Sequence, residues 1–229
     1  NEAERIYSVA PEIIVAIIGV ETRYGKIMGS YPVVEALSTL AFDYPPRAKF
    51  FRKELTEFFI LTREQKLDPS NLTGSYAGAM GYGQFIPSSY RAYAVDFDGD
   101  NFKDIWNNKA DAIGSVANYF SRHGWQGDGP VIVRGYKTSP KLDVTANESL
   151  EPKFLAGDLR KKGIRNSLAD NTKVALFEMQ GERGREYWLG LSDFYVITRY
   201  NRSSMYALAV FQLSQAIKQE RIDLLNSLN

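Results

Sequence analysis

The string GVETRYG sets one acidic residue, Glu21, in the last turn of a segment that is otherwise apolar. A carboxyl group among apolar neighbours is held toward its neutral form, because desolvation penalises the charge. The carbonyl end of a helix dipole pushes the same way. A carboxylic acid still protonated near neutral pH can donate a proton to a leaving oxygen. The plainer alternative is a helix-end glutamate paired with Arg23 or another cation. Two other stretches supply polar groups of a different kind. Residues 73–86 read TGSYAGAMGYGQFI and close on Gly83, Gln84 and Phe85. Further on, a strand-like run ends in Arg199, Tyr200, Asn201 and Arg202. Amides and phenols on irregular backbone can read sugar hydroxyls and acetamido groups, and rings can stack on sugar faces. Each signal is weak by itself, since a GxGQ string is also a turn and a Tyr-Asn pair also caps a following helix.

A second acidic pattern lies at Asp96–Asp104. Asp96, Asp98, Asp100 and Asp104 supply oxygen at positions one, three, five and nine, and Phe102 offers a backbone carbonyl at seven. That alternation is used by EF-hand-like calcium loops. Two positions depart from it. Asn101 stands where glycine is usual, although asparagine also reaches the left-handed region. Asn107 stands where a bidentate glutamate is usual. The alternative is a solvated acidic turn. The one histidine, His123, sits beside Gly124 at a helix end, where a capping part suits it. No nucleophile elbow accompanies it, which argues against a Ser–His hydrolase.

The elements that must position these groups follow from periodicity and punctuation. Pro11 to Tyr24 is predicted as a buried helix, opened by proline and closed by Gly25. A polar loop with Gly29, Pro32 and Ser38 is expected next. Pro46 through Leu67 has helical spacing, with Phe50, Phe51, Leu55, Phe58, Phe59 and Leu61 as its apolar stripe. Four glycines in 73–86 argue for a loop in close backbone approach. A short helix is expected over Pro87–Ala94 and another over Asn108–His123. VIVRGY and KVALFEM read as strands, and Glu186 to Arg199 holds a further strand-like run with Trp188, Phe194, Tyr195, Val196 and Ile197. Met205 to Glu220 is a final amphipathic helix. The expected fold is α+β and mainly helical. A helical body spans 1–124 and 195–229, and a small β-containing lobe spans 125–194.

Composition narrows the classes. The 229 residues carry 28 Lys and Arg against 27 Asp and Glu, which gives no concentrated basic surface and no argument for nucleic acid. The absence of cysteine excludes disulfides, thiolate metal sites and a cysteine nucleophile. The longest apolar run, Ile13 to Val20, is too short to cross a bilayer. The chain reads as mature or trimmed, with any export signal removed. Of the 14 Tyr, 13 Phe and 3 Trp, several lie in polar, glycine-rich stretches, where rings either line a cleft or pack a core.

GVETRYG, GSYAGAMGYGQFIPSSY, DFDGDNFKDIW, DAIGSVANYFSRHGW and TRYNRSSMYALAV, in that order, resemble the membrane-bound lytic murein transglycosylase B family and its soluble forms. The likeness covers most of 11–124 and resumes at about 195–212. It implies a lysozyme-like catalytic core with attached lobes. It also implies cleavage of the β-1,4 bond between N-acetylmuramic acid and N-acetylglucosamine, leaving a 1,6-anhydromuramic acid end. Under it, Glu21 matches the acid/base carboxylate, Ser75 and Gln84 match cleft residues near it, and Tyr119 matches a cleft tyrosine. Tyr200, Asn201 and Tyr206 match a group around the scissile bond. Many lytic transglycosylases have serine just after the catalytic glutamate; here Thr22 keeps the hydroxyl. The likeness also has Asp111, rather than Asn107, close an EF-hand-like loop over 96–111, with structural Ca²⁺ and no cofactor for catalysis. The implied partner is the peptidoglycan glycan strand. The implied location is the cell envelope, in the periplasm or on the periplasmic face of the outer membrane. A lipid anchor outside the chain and protein partners stay open.

Ordinary glycosidases place two carboxylates about the scissile bond, whereas this reading needs one. The rivals are a muramidase that hydrolyses the same bond and a catalytically silent, calcium-stabilised glycan-binding module.

Overall fold

The computed structural model describes residues 1–138 and 144–228. Residues 139–143 of the expected β-containing lobe, and residue 229 of the expected helical body, lie outside the described residues. The chain is α+β and mainly helical, as its periodicity indicates, and it forms two compact units, Asn1–Arg122 and His123–Asn229.

The first unit is built of helices. α1 (Glu2–Tyr7) packs on α6 (Lys109–Arg122), and so does α2 (Pro11–Thr22). α2 buries Ile13, Ile14, Ala16, Ile17 and Ile18, so it is apolar on nearly every side, as a helix inside a core must be. The expected polar loop is only partly one: Val33–Phe42 forms helix α3, and Ser38 lies within it. Its buried Val33, Ala36, Leu37 and Ala41 recur at helical spacing, and Pro32 stands at its N-cap rather than inside a turn. α4 (Ala48–Glu64) holds the expected helix, but its buried stripe is Phe51, Glu54, Phe58, Leu61 and Thr62. Phe59 falls off that stripe and is 45% exposed, because it is one residue out of step with Phe58. Glu54 is buried on the stripe because it accepts from Ser88 N at 2.9 Å and Ser88 Oγ at 2.8 Å. It thereby satisfies the open first turn of α5 (Pro87–Tyr93) from another helix.

The second unit carries a five-stranded antiparallel sheet. Its strands are β3 (Ile132–Lys137), β4 (Phe154–Leu155), β5 (Ile164–Arg165), β6 (Lys173–Gly181) and β7 (Gly184–Gly190), in the order β4-β6-β7-β3-β5. β1 (Tyr31–Pro32) and β2 (Thr73–Gly74) pair separately in the first unit. β6 and β7 form a hairpin from Ala175↔Gly190 to Gly181↔Gly184. α7 (Ala156–Lys161) joins Leu159 to Ile164, Val174, Leu176 and Leu189 in the core of this unit. Of the expected strand-like run over Glu186–Arg199, the part with Trp188 lies in β7, whereas the part over 194–197 is instead helix α8 (Ser192–Tyr200). Its β-branched run mimics a strand, yet Asp193, Phe194, Ile197 and Thr198 share the buried face at helical spacing. Asp193 holds the start of α8 by accepting from Gln126 N at 2.9 Å and Gly127 N at 2.8 Å. α9 (Ser204–Ser227) runs past the expected end at Glu220.

Candidate active site

Glu21 is half-buried in the last turn of α2. The helix ends abruptly, because Arg23, Tyr24 and Gly25 have φ of 50°, 61° and 84°, all left-handed. Arg23 N donates to Gly19 O at 3.0 Å and Tyr24 N to Ile18 O at 3.3 Å, which satisfies carbonyls of the last turn. Only glycine fits at position 25, since a Cβ there would enter the Tyr82 ring.

Thr22, beside Glu21, fixes this turn to the glycine-rich loop. It is 1% exposed. Its hydroxyl proton is shared between Ile18 O and Tyr82 O, both at 3.0 Å, and its oxygen accepts from Gly25 N at 3.0 Å. The helix end carrying Glu21 is therefore tied to a residue sixty positions along the chain. The hydroxyl is plain in the sequence and this bond is not, because its partner is a backbone carbonyl.

The loop is organised by short antiparallel contacts. β1 pairs with β2, and Met80 bridges both Gly74 and Phe85. A Cβ on Gly74 would strike Ala79 O and one on Gly81 would strike Ile105 O, which is the close backbone approach expected of the glycines in this span. Ser75 Oγ accepts from Ala77 N at 3.3 Å and Ala79 N at 3.1 Å, so the residue braces the loop internally. Gln84 has φ of 51°, and its Nε2 donates to Met28 O at 3.1 Å and Gly81 O at 3.0 Å. It links the turn after α2 to the glycine-rich loop and leaves Oε1 as its accepting atom. Tyr82 and Tyr24 also line a hollow of ≈ 200 Å³ with Val15, Ile18, Lys109 and Ala112. Tyr119 is 6% exposed on α6, with its ring 4.8 Å from that of Tyr93 and 6.0 Å from that of Phe85. Burial against other rings makes it a support for the loop's floor.

In the second unit, α8 ends at Tyr200 and Asn201 is its extended C-cap. Ser203 caps α9, accepting from Tyr206 N at 3.2 Å. This short link sets half-buried Tyr200, exposed Asn201 and half-buried Tyr206 within one helix junction. His123 follows α6 directly, and Gly124 has φ of 89°, in keeping with a helix-end part.

The acidic loop gathers Asp96, Asp98, Asp100 and Asp111, each offering an oxygen within 4.8 Å of the others. Asp96 accepts from Gly99 N and Asn101 N, both at 2.7 Å, and Asn101 takes the left-handed conformation at φ of 71°. Asp111, from α6, is fully buried and accepts from Phe97 N and Asp104 N, both at 2.7 Å. Burial pushes its carboxyl above the usual carboxylate range. The Phe97 and Asp104 amides oppose that, and the charges of Asp98 and Asp96 reinforce it. Asp104 is set differently, its Oδ1 accepting from Trp106 N at 3.0 Å and Asn107 N at 2.9 Å. Phe102 donates its N–H to Asp100 Oδ1 at 2.8 Å. Four converging hard oxygens, one buried, form a donor set that fits a divalent cation of the calcium kind.

No helix among the described residues is long and apolar enough to cross a membrane. The transglycosylase SLT domain family matches residues 1–215. Membrane-bound lytic murein transglycosylase B of Escherichia coli (strain K12) is 45% identical over 97% of the chain and 61% of its own length. The chain thus spans less than two thirds of that relative. The crystal structure of soluble lytic transglycosylase SltB1 from Pseudomonas aeruginosa is 55% identical, with a TM-score of 0.92 over 96% of this chain and 74% of that one. The Escherichia coli lytic transglycosylase Slt35 in complex with calcium is 46% identical, with a TM-score of 0.89 over 97% of this chain and 70% of that one. The fold is the lysozyme-like one of these enzymes. Agreement through almost the whole sequence, and at this identity, makes the chain a member of the transglycosylase SLT domain family, in the branch of lytic murein transglycosylase B and its soluble forms.

Proposed function

We propose that the chain is a peptidoglycan lytic transglycosylase. On this reading it cuts the β-1,4 bond between N-acetylmuramic acid and N-acetylglucosamine and leaves a 1,6-anhydromuramic acid end. The observation that carries it is Glu21, half-buried at the end of an apolar helix and bound through Thr22 to a loop bearing Ser75 and Gln84. The family supplies the substrate class. One carboxylate then does both proton transfers. Glu21 gives its proton to the glycosidic oxygen as the C1–O bond breaks. The acetamido oxygen of the muramic acid supports the charge at C1, as in substrate-assisted enzymes. The Glu21 carboxylate next takes the proton of the C6 hydroxyl, and O6 bonds to C1. The proton count closes with Glu21 restored and no water used. The internal hydroxyl outcompetes water through its high effective concentration.

Gln84 Oε1 and the Ser75 hydroxyl are assigned to sugar contacts near Glu21, and Tyr119 to the cleft floor. Tyr200, Asn201 and Tyr206 are assigned to the group around the scissile bond, with Asn201 orienting the acetamido group. This assignment counts residues 195–229 with 1–124 as one working body and 125–194 as an attached lobe. Asp96, Asp98, Asp100 and Asp111 would hold Ca²⁺, with Phe102 and Asp104 as backbone or outer partners. The ion's part is to fix the loop before α6, and the proton transfers above need none of it. The place of action is the bacterial envelope, in the periplasm or at the periplasmic face of the outer membrane.

Mass spectrometry of murein digested by wild type and Glu21→Gln tests the reading. Anhydro ends from wild type, and none from the variant, are expected. Reducing ends would instead make the protein a hydrolytic muramidase. Intact murein with wild type would leave a glycan-binding module.

A further inference from the structure

The hairpin of α3 and α4 in the first unit ends in a tip that neither the proton chemistry nor the acidic loop uses. Its sequence RAKFFRK, residues 47–53, holds Arg47, Lys49, Arg52 and Lys53 with no acid among them. All four are exposed. The two acids that follow are engaged elsewhere: Glu54 is buried and accepts from Ser88, and Glu57 pairs with Arg91. The net charge of +1 for the whole chain therefore conceals a local positive excess that composition does not show. Pro45, Pro46, Arg47, Lys49, Phe50 and Lys53 line a hollow of ≈ 480 Å³ at this tip.

Aromatic rings stand beside these cations. Phe42, the last residue of α3, is 65% exposed, and Tyr44, in the link to α4, is 44% exposed. The tip is held in shape. Pro45 and Pro46 open a single 3-10 turn that ends at Arg47. Arg52 Nε donates to Ala41 O at 3.0 Å, tying α4 to the last turn of α3, and its guanidinium lies 5.6 Å from the centre of the Phe42 ring. Arg47 lies 4.4 Å over the ring of Phe50. β1 leads into α3, β2 comes after α4, and the two strands pair, so the feet of the hairpin meet at the glycine-rich loop. The 10 residues of α3 make about 15 Å of helix, which sets the tip at the far end from that loop.

We propose that this tip is a peripheral docking surface for an anionic phospholipid bilayer, with Phe42 and Tyr44 entering the interface and Arg47, Lys49 and Lys53 meeting lipid phosphates. The charges of tip and lipid are complementary, and each Lys or Arg held near an anionic surface strengthens binding about fivefold. A soluble polyanion would use the cations alone. Exposed rings on a projecting turn add affinity where an apolar phase receives them, which is what a bilayer offers and a soluble polymer does not. Docking by the far end of the hairpin leaves the glycine-rich loop uncovered. The surface is independent of the proton chemistry at Glu21, and the envelope location proposed above brings a bilayer within its reach.

The test is cosedimentation of the full chain with vesicles of phosphatidylcholine alone and of phosphatidylcholine mixed with phosphatidylglycerol. Wild type is expected to bind the mixed vesicles and to leave the neutral ones. Arg47→Gln/Lys49→Gln/Lys53→Gln should weaken that binding by about fivefold per removed charge. Phe42→Ser/Tyr44→Ser should weaken it too, while retention on immobilised polyphosphate stays as in wild type. The exchanged side chains are exposed, so melting temperatures should stay near wild type; Arg52 is left in place because it ties the hairpin together. Lys162→Gln/Lys173→Gln/Arg183→Gln removes the same charge from exposed residues of the second unit and should bind as wild type does. Wild type that ignores the mixed vesicles, or an equal loss from the second-unit triple, would overturn the surface. Ring variants that bind vesicles as wild type does would overturn it as well, and would leave the tip a site for soluble polyanions. None of these readings depends on murein cleavage, so failure here and failure of the activity are told apart.

Discussion

Two loops of the first unit handle carboxylates in opposite ways. After α2, a single acid stands at the end of an apolar helix, and its turn is tied to the glycine-rich loop through Thr22 and Gln84. After α5, four carboxylates crowd within 4.8 Å of one another, and amide N–H groups point in at them. Both loops rely on left-handed residues, Arg23, Tyr24 and Gly25 in the first and Gly99 and Asn101 in the second. Backbone shape therefore does not separate their roles; the number of charges does. A lone carboxyl at the end of an apolar helix can carry a proton to and fro. A cluster of acids repels itself until a cation neutralises it.

The sharpest way to break this contrast is to remove the ability of Glu21 to ionise. Glu21→Gln should lower turnover by about two to four orders of magnitude, the usual worth of positioned acid–base catalysis. Glycan binding, followed by calorimetry, should stay close to wild type. A variant that turns over murein normally would mean that the lone acid is not the proton carrier.

The clustered acids should respond to a cation and leave the chemistry alone. Calcium at about one hundred times its dissociation constant adds about 2.7 kcal/mol to a site absent from the unfolded chain. For a chain of this length that is a rise of roughly 5–10 °C in melting temperature. Asp98→Asn removes one oxygen donor and keeps a partner for Asn108, whose Nδ2 lies 2.7 Å from Asp98. It should abolish most of the calcium-dependent rise and alter the metal-free melting temperature little. Scanning calorimetry with calcium and with chelator decides the matter; identical melting of wild type in both would remove the cation from the account.

The two loops also differ in how far the sequence reveals them. The acidic loop is written locally, with Asp96, Asp98 and Asp100 on alternate residues, and only Asp111 had to come from family resemblance. The position of Glu21 was equally plain, because Pro11, the apolar run and Gly25 mark a helix and its end. What holds Glu21 in place was not legible. The bond from Thr22 to Tyr82 O and that from Gln84 to Met28 O both end on carbonyls, which every residue carries and no residue type announces. Secondary structure was misread where local chemistry and tertiary burial disagreed. Val196 and Ile197 favour a strand, yet Asp193 anchors their segment as a helix by binding two amides of the 126–127 turn. α3 was hidden by Pro32 and Ser38, which mark turns unless a proline happens to open a helix. In α4 the aromatic count drew Phe59 into the stripe, and buried Glu54 was invisible because its partners lie on Ser88.

Smaller and more discriminating effects are expected at Thr22, whose side chain contributes shape and hydrogen bonds separately. Thr22→Val keeps the buried volume and removes the hydroxyl, so Tyr82 O and Gly25 N lose a partner in a closed site. Leaving such a group unmet costs about 1–3 kcal/mol. Because the bond orients the turn bearing Glu21, kcat should fall while KM changes little. Thr22→Ser keeps both bonds and loses one methyl group, about 0.8 kcal/mol of burial. Its melting temperature should drop by about 2–3 °C, with kcat near wild type. The pair of variants separates positioning from packing: if serine lowers kcat as much as valine does, the methyl contact holds Glu21, and the tie to the glycine-rich loop is incidental to catalysis.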